Sequence, residues 1–546
     1  MDFTSKWRKK LGLDRVRLTY SSLRRMALYI LGAFVFLSFI VSKFFTAKTP
    51  AYFVTQARSD YQQAEIELMQ YLQKRPAKKE LWRTLVDLRA AFEQRGDNKL
   101  LKKALGDDQF ISQLIVEQKS SIDFDTFLDF IKKAQSPSPA ALKARLFVSM
   151  DGISLKSLDI DGKLEVADVL MRKGEVERAL KFYQQIATAD PQNREAHEGV
   201  YTCLSLLNKT EEIEQLLNDD EWRKFASHET RFQYHLARRE YARMFYHLTM
   251  QQYEWFSFKV MAACLAAGFC WVVFLVHLAN GWSWRKREIA LVFGALILGI
   301  LSAKFCLGVV VVQDDFIGHA EKNKTMAYNL AYYVLGVGLR EEFCKMLLFT
   351  PLLLWLKKER QTYKILTYCS LVGLGFAVEE NISYFMRNTD SSVLLSRFLT
   401  ANFFHMFLTS YICYYLTIAV QRGGKAWDEF TVVFIKMVIA HGVYDFLIAD
   451  PTMASGGFSF FAMMLLVWLS MQYIALIVQT APPRHRYVSV TRVFSICLCV
   501  AVGINLLVIS TDVGLQAGLK AMFGGLLNSA LFAYMFFRGF NEPVGH

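Results

Sequence analysis

The sequence predicts an all-α protein, a polytopic membrane helical bundle of about ten spans joined to a soluble α-helical, tetratricopeptide-like domain. Three observations predict it. Of 546 residues, 53% are hydrophobic and 14% aromatic, and the apolar ones gather in blocks of about 17 to 25 residues, long enough to cross a hydrocarbon core of about 30 Å. One block stands near the N-terminus and the others fill the chain after Val260. Between them, residues 46–254 are polar, charged and helix-patterned, with few Pro or Gly inside the segments.

Residues 1–25 form a tail dense in Lys and Arg, expected to be cytoplasmic, and 26–45 a transmembrane signal anchor. The long basic region before this span, with no A-x-A site after it, favours an uncleaved anchor over a signal peptide. Residues 46–254 are then an extracytoplasmic helical domain. Ala64, Leu68, Tyr71 and Pro76 share a spacing with Ala179, Tyr183, Ile186 and Pro191, the latter preceded by Gly174. Both resemble the second half of a tetratricopeptide repeat, where a small residue lets paired helices approach and proline ends the unit. Such a repeat offers a concave surface to a protein partner, whereas an ordinary helical bundle would pack without a ligand. Of the nine cysteines, Cys203 alone lies outside the expected spans and their edges, so the exported region depends on its core and not on an internal disulfide. No Cys/His spacing of a structural zinc site and no C-terminal prenylation box occurs.

Residues 255–540 make the polytopic domain. Its spans are placed at Val260–Leu278, Ile289–Val312, Met326–Leu356, Ile365–Phe385, Val393–Val420, Phe430–Leu447, Phe458–Val478, Val493–Ile509 and Ala521–Phe537. The net charge of +13 sits mainly beside these spans, at Arg285–Arg287, Lys357–Lys364, Arg422–Lys425 and Arg484–Arg492. Those segments share one side if the spans alternate, while the opposite loop Gln313–Thr325 carries Asp314, Asp315 and Glu321. The positive-inside rule then puts both termini in the cytoplasm of a multi-pass protein, and it accounts for the basic residues without a nucleic acid partner.

A charge at the bilayer centre costs about 2.5–3.5 kcal/mol on insertion scales, so ionisable residues inside spans usually have a task. Here they fall in four consecutive spans: Glu341, Glu342 and Lys345; Glu379 and Glu380, followed by the polar Asn381; His405; and His441 with Asp445. Lys345 lies one turn beyond Glu341, and Asp445 one turn beyond His441, each pair on one helical face. Glu341 falls near mid-membrane at about 1.5 Å rise per residue, with Glu380, His405 and His441 toward the extracytoplasmic half. Glu379 points about 100° away from Glu380 and reads as structural. Lys304 and Lys436 read as snorkelling or compensating charges.

An adjacent carboxylate and histidine can activate water, and a second histidine or amide can stabilise an oxyanion. The same residues could instead hold a divalent metal such as zinc, with Glu380, His405 and His441 as ligands and a position left for water. Spacing leaves both open. Two other classes share these features. A proton-coupled transporter predicts an internal repeat of helices, which is not visible. A non-catalytic scaffold or receptor displaying the helical domain would tolerate neutral replacements at Glu341 and His441.

The Glu-Glu-x-x-Lys of Glu341–Lys345, the Phe-x-x-x-Glu-Asn of Phe376–Asn381, the isolated His405 and the His-x-x-x-Asp of His441–Asp445 resemble the PrsW family of intramembrane peptidases. That family belongs to the wider group of CAAX prenyl endopeptidases and bacteriocin-immunity proteins, and the resemblance covers roughly 260–537. It implies a bacterial cytoplasmic-membrane enzyme that cuts membrane-anchored proteins, anti-sigma factors among them. By carry-over, Glu341 would be the general base with Glu342 beside it, Glu380 and His405 would hold water or metal, and His441 with Asp445 would complete the site. Lys345 and Asn381 would support it. The CAAX relatives usually show His where this chain has Glu380, and an Arg one residue after Lys345, which argues against a prenylated substrate.

Overall fold

The computed structural model describes residues 20–45, 160–172, 174–254, 257–278, 286–317, 325–387, 394–450, 457–480 and 490–539, together with 48, 52, 53, 64, 67, 68, 71, 452 and 453. Residues 1–19 of the basic tail, Pro76, Arg285, Glu321 and most of Arg484–Arg492 lie outside the described residues. Every described element is helical. The chain divides into two units, Thr46–Glu254 with Asp512–Gly514, and the remainder.

The first helix, α1 (Tyr20–Phe45), is the N-terminal span, and only 6% of its apolar window is buried by the protein. Such a helix leaves its surface to lipid. Helices α2 (Ile160–Arg172), α3 (Val176–Ala189), α4 (Arg194–Leu206), α5 (Thr210–Asn218), α6 (His228–Ala237) and α7 (Tyr241–Glu254) belong to the other unit. They pack as consecutive pairs, α2 on α3, α3 on α4 and α6 on α7. Ala179, Tyr183 and Ile186 are buried in their core with Leu164, Val200 and Leu204. Tyr183 Oη donates to Asp168 Oδ1 at 2.5 Å. A Cβ at Gly199 would lie 2.5 Å from the Tyr183 ring, so this glycine is what lets α4 lie flat on that tyrosine. Asn193 caps α4 through Ala196 N–H, and Ser227 caps α6 through Thr230 N–H, which sets where each helix begins.

The membrane unit continues with α8 (Phe258–Leu278) and α9 (Lys286–Ile317). The next expected span, Met326–Leu356, is not one continuous α-helix. Met326–Ala331 runs into a π-helical segment, Tyr332–Gly338, which feeds α10 (Leu339–Phe349) and then a 3₁₀ turn at Thr350–Leu352. The remaining helices are α11 (Thr362–Arg387), α12 (Leu394–Arg422), α13 (Ala426–Ala449), α14 (Ser459–Thr480), α15 (Val490–Val513) and α16 (Leu515–Gly539). Among the described residues, 8 helices are long and apolar enough to cross a membrane. The π-interrupted segment and α16 make up the difference from the expected ten. The first is broken into pieces too short to qualify alone, and α16 shows a shorter apolar run, Gly518–Leu527, among the described residues.

Helices α11 and α12 occupy the centre, with 89% and 78% of their apolar windows buried, against 28% for α13 and 33% for α9. The core they share with α8 and α14 includes Phe274, Leu371, Phe403, Phe407 and Tyr473. Lipid supplies no hydrophobic drive between helices, so close backbone approach and polar contacts hold the bundle together. A Cβ at Gly373 of α11 would lie 2.3 Å from the backbone oxygen of His405 in α12, which places the two chains in direct contact beside a site residue. Ser370 Oγ meets Tyr473 Oη at 2.7 Å, and Trp271 Nε1 donates to Phe398 O at 2.9 Å.

Candidate active site

The sequence motifs meet on α10, α11, α12 and α13. Helix α10 begins directly after the π segment and carries Glu341, Glu342 and Lys345 within two turns. The wider turn of a π segment rotates the residues that follow it, and such bulges recur at functional sites. Here the π segment lies against α13. A Cβ at Gly442 would come within 2.3 Å of Val334 Cα, and one at Gly338 within 2.7 Å of Val438 O. His441, next to Gly442, is thereby brought beside Glu341 and Glu342.

The floor of the site is closed. Side-chain exposure is 0% for Glu342 and Lys345, 1% for His441 and 6% for His405. Lys345 Nζ lies 2.8 Å from Glu342 Oε1, 3.4 Å from Glu341 Oε2 and 2.9 Å from His405 Nδ1, with the Phe376 ring 3.9 Å below it. A charged ammonium donates to each, so His405 Nδ1 must carry a lone pair. Its other nitrogen, Nε2, then bears the proton and donates to Glu380 Oε2 at 2.9 Å.

His441 sits among three carboxylates. Nδ1 is 2.7 Å from Glu342 Oε1, and Nε2 is 3.2 Å from Asp445 Oδ2 and 3.6 Å from Glu341 Oε2. Phe404 stacks on Tyr444 at 4.1 Å and meets the His441 ring edge-on at 5.3 Å, walling this side. The rim is more open, with Glu341, Asp445 and Glu380 exposed by 16%, 23% and 37%. Glu380 lies near the C-terminal end of α11, Asp445 near that of α13, and Arg397 near the N-terminal end of α12. Antiparallel neighbours put those ends on one side, so the site opens toward one end of the bundle.

All the expected site residues therefore fall in one cluster, although they do not group as the sequence suggested. The carboxylate that joins the two histidines is Glu341: ligand atoms of Glu341, His405 and His441 all lie within 4.8 Å of one another. Glu380, expected in that trio, lies on the far side of His405, where it accepts from Nε2. Asn381 does not point at the histidines. Its Nδ2 donates to Asn402 Oδ1 at 2.9 Å, and its Oδ1 accepts from Arg397 Nε at 2.9 Å. Glu379 turns away from the histidines and pairs with Lys304 of α9, 2.5 Å away, both of them buried. Arg397 and Asn402 went unremarked in the sequence, yet Arg397 was already an ionisable residue inside an expected span, the same signal that marks the others.

Glu341, His405 and His441 offer one carboxylate and two imidazoles, the donor types zinc prefers. The local charges also suit a cation. Four carboxylates, Glu341, Glu342, Glu380 and Asp445, face two fixed cations, Lys345 and Arg397, and His441 Nε2 and the oxygens of Glu341 and Asp445 converge as acceptors. Acceptors that face one another need a positive charge between them, either protons or a divalent ion.

Comparison with known families decides the class. Residues 287–471 match the model of the PrsW family intramembrane metalloproteases. This segment, about a third of the chain, is similar to the PrsW-family peptidase domain. The matched segment holds every site residue named above, from Glu341 on α10 to Asp445 on α13. The match supports a membrane protease, a hydrolase of peptide bonds. No curated protein and no solved structure matches it.

Proposed function

We propose that this PrsW-family domain is an endopeptidase that cuts membrane-anchored proteins near the extracytoplasmic face, with Glu341, His405 and His441 as its reacting centre. The observation that carries this reading is the cluster on four adjoining helices: buried His405 and His441, with Glu342 enclosed beneath them and Glu341, Asp445 and Glu380 at a partly exposed rim. A substrate helix unwound at that end could bring its scissile carbonyl to the rim. A water between Glu341 and His441 attacks the carbonyl carbon, and its proton passes to Glu341. His441, held by Glu342 and Asp445, faces the oxyanion as it forms. The C–N bond then breaks, and Glu341 returns the proton to the leaving amine.

Glu341, His405 and His441 would hold a divalent metal such as zinc once His405 Nδ1 gives up its contact with Lys345, and such an ion would lower the pKa of water and polarise the carbonyl. With such an ion in place Glu341 would remain the proton acceptor. Glu342 and Lys345 neutralise each other beneath the centre and fix His441 and His405.

The basic segments Lys357–Lys364 and Arg422–Lys425 flank the helix ends opposite the rim. This supports cytoplasmic termini in a bacterial inner membrane, with 46–254 outside. The helical unit would recruit or screen the substrate there through a repeat-like surface, and an anti-sigma-factor-like single-span protein fits the family. The test uses purified full-length protein with a single-span reporter. Glu341→Gln and His441→Ala are expected to lower kcat by about 10²-fold or more, and His441→Ala to lower the zinc content measured by mass spectrometry. Wild-type cleavage by both variants at wild-type abundance would sink the reading.

A further inference from the structure

Arg397 is the one strong charge at this site to which neither the motifs nor the peptidase chemistry assigns a task. It stands in the first turn of α12, within reach of the membrane interface, where a long basic side chain would ordinarily snorkel outward and where a cation opposes the helix dipole. It does neither. Its side chain is only 21% exposed and turns inward. Nε donates to Asn381 Oδ1 at 2.9 Å, Nη2 lies 3.3 Å from Glu380 Oε2, and the guanidinium covers the Tyr384 ring at 4.4 Å. Nη2 is closed to solvent and makes no hydrogen bond among the described residues, so its tie to Glu380 is ionic.

We propose that Arg397 is a positioning residue that acts on the reaction centre through Glu380. The proposal rests on the peptidase reading for its kinetic consequence, though not for its structural one. Asn402 holds Asn381, Asn381 aligns Arg397, and Arg397 holds the Glu380 carboxylate in place. That carboxylate accepts the Nε2–H of His405. His405 is thus locked in one tautomer, with its Nδ1 lone pair turned toward Lys345, Glu341 and His441. A ligand or water-orienting imidazole needs this kind of carboxylate support, and loss of such a partner typically costs 10- to 100-fold. Arg397 adds a further layer. Without it Glu380, the most exposed carboxylate of the site, can swing toward water and release the ring.

The experiment compares Arg397→Gln, Arg397→Lys, Glu380→Gln and the Arg397→Gln/Glu380→Gln pair in the purified full chain. Expected for Arg397→Gln is a fall in kcat of about 10- to 100-fold with KM nearly unchanged, partly restored by Lys. In the Glu380→Gln background the same change should cost less than about twofold, because the path through Glu380 is already cut. A readout independent of cleavage is the ¹⁵N spectrum of histidine-labelled protein, with His405 assigned from the His405→Gln difference. Wild type should show the Nε2–H tautomer alone, and Arg397→Gln a mixture. Equal losses in both backgrounds, or an unchanged His405 signal, would overturn the proposal even while Glu341→Gln remains inactive. Should Glu341→Gln stay fully active, the peptidase reading fails, and the His405 signal still decides the role of Arg397.

Discussion

At the scale of single residues, the site depends on a buried cation that is fully engaged. Lys345 Nζ touches Glu341, Glu342 and His405 with none of its side chain exposed. Removing one partner of a buried pair leaves the other charge uncompensated and costs about 3–5 kcal/mol, whereas removing both can be nearly neutral. Lys345→Met should therefore lower abundance and the thermal midpoint in detergent, and Lys345→Met/Glu342→Gln should recover much of both without recovering cleavage. A double variant no more stable than the single one would count against Lys345 as the counter-charge of Glu342. These pairings were partly legible beforehand. The i,i+4 spacing put Lys345 beside Glu341 and Asp445 beside His441, because those contacts lie within one helix. The bonds from Lys345 to His405 and from Arg397 to Asn381 join residues on different helices, and no local pattern specifies them.

At the scale of elements, the π segment Tyr332–Gly338 and its contact with α13 set the distance from Glu341 to His441. An apolar run reads the same whether its turns are α or π, so the expected fourth span looked continuous. Gly442→Ala would force its Cβ against Val334 Cα, 2.3 Å away. Backbone cannot yield as a flexible side chain does, and overpacking of this kind costs about 1–3 kcal/mol. The expected result is a lower thermal midpoint together with a loss of cleavage larger than the loss of folded protein. Ala at Gly294, which has nothing within 4 Å, should do neither.

The α6–α7 pair has its own polar cluster. His247 Nδ1 lies 2.8 Å from His228 Nδ1, its ring stacks on His235 at 5.3 Å, and His235 pairs with Glu240 at 2.9 Å. Burial, with His228, His235 and Arg231 nearby, pushes the His247 pKa down to about 4 from its usual 6.5. A histidine with a depressed folded pKa binds its proton more readily when unfolded, so folding loses stability as pH falls from about 6.5 toward 4 and none above that range. Melting curves of the full chain should show a transition that drops over this window, and His247→Gln should flatten the drop. A pH-independent transition in the wild type would contradict it.

At the scale of the whole molecule, the helical class, the polar region between the first two apolar blocks and the order of the charged and histidine-bearing segments were all readable from periodicity and charge placement. Which helices form the centre was not. Helices α11 and α12 are nearly enclosed while α1 is almost bare, although each carries an apolar run long enough to span, because lipid and protein interior accept the same apolar side chains. The polar content of α11 and α12, with Ser370, Asn381, Asn402 and Thr409 all buried, is the feature that tells an inner helix from a lipid-facing one. The proposed orientation predicts that reporter fusions active only outside the cytoplasm will work when inserted after residue 390 and fail when inserted after residue 424. The reverse pattern would invert the site relative to the membrane.

The central claim is that the enclosed Glu341, His405 and His441 cluster hydrolyses a peptide bond. The most direct measurement is cleavage of a single-span reporter by the purified, reconstituted chain in ¹⁸O-labelled water, with products read by mass spectrometry. The expected result is one ¹⁸O in the new C-terminal carboxylate, formed by the wild type and lost with Glu341→Gln and His441→Ala. Labelled product formed at the wild-type rate by those variants would contradict the account.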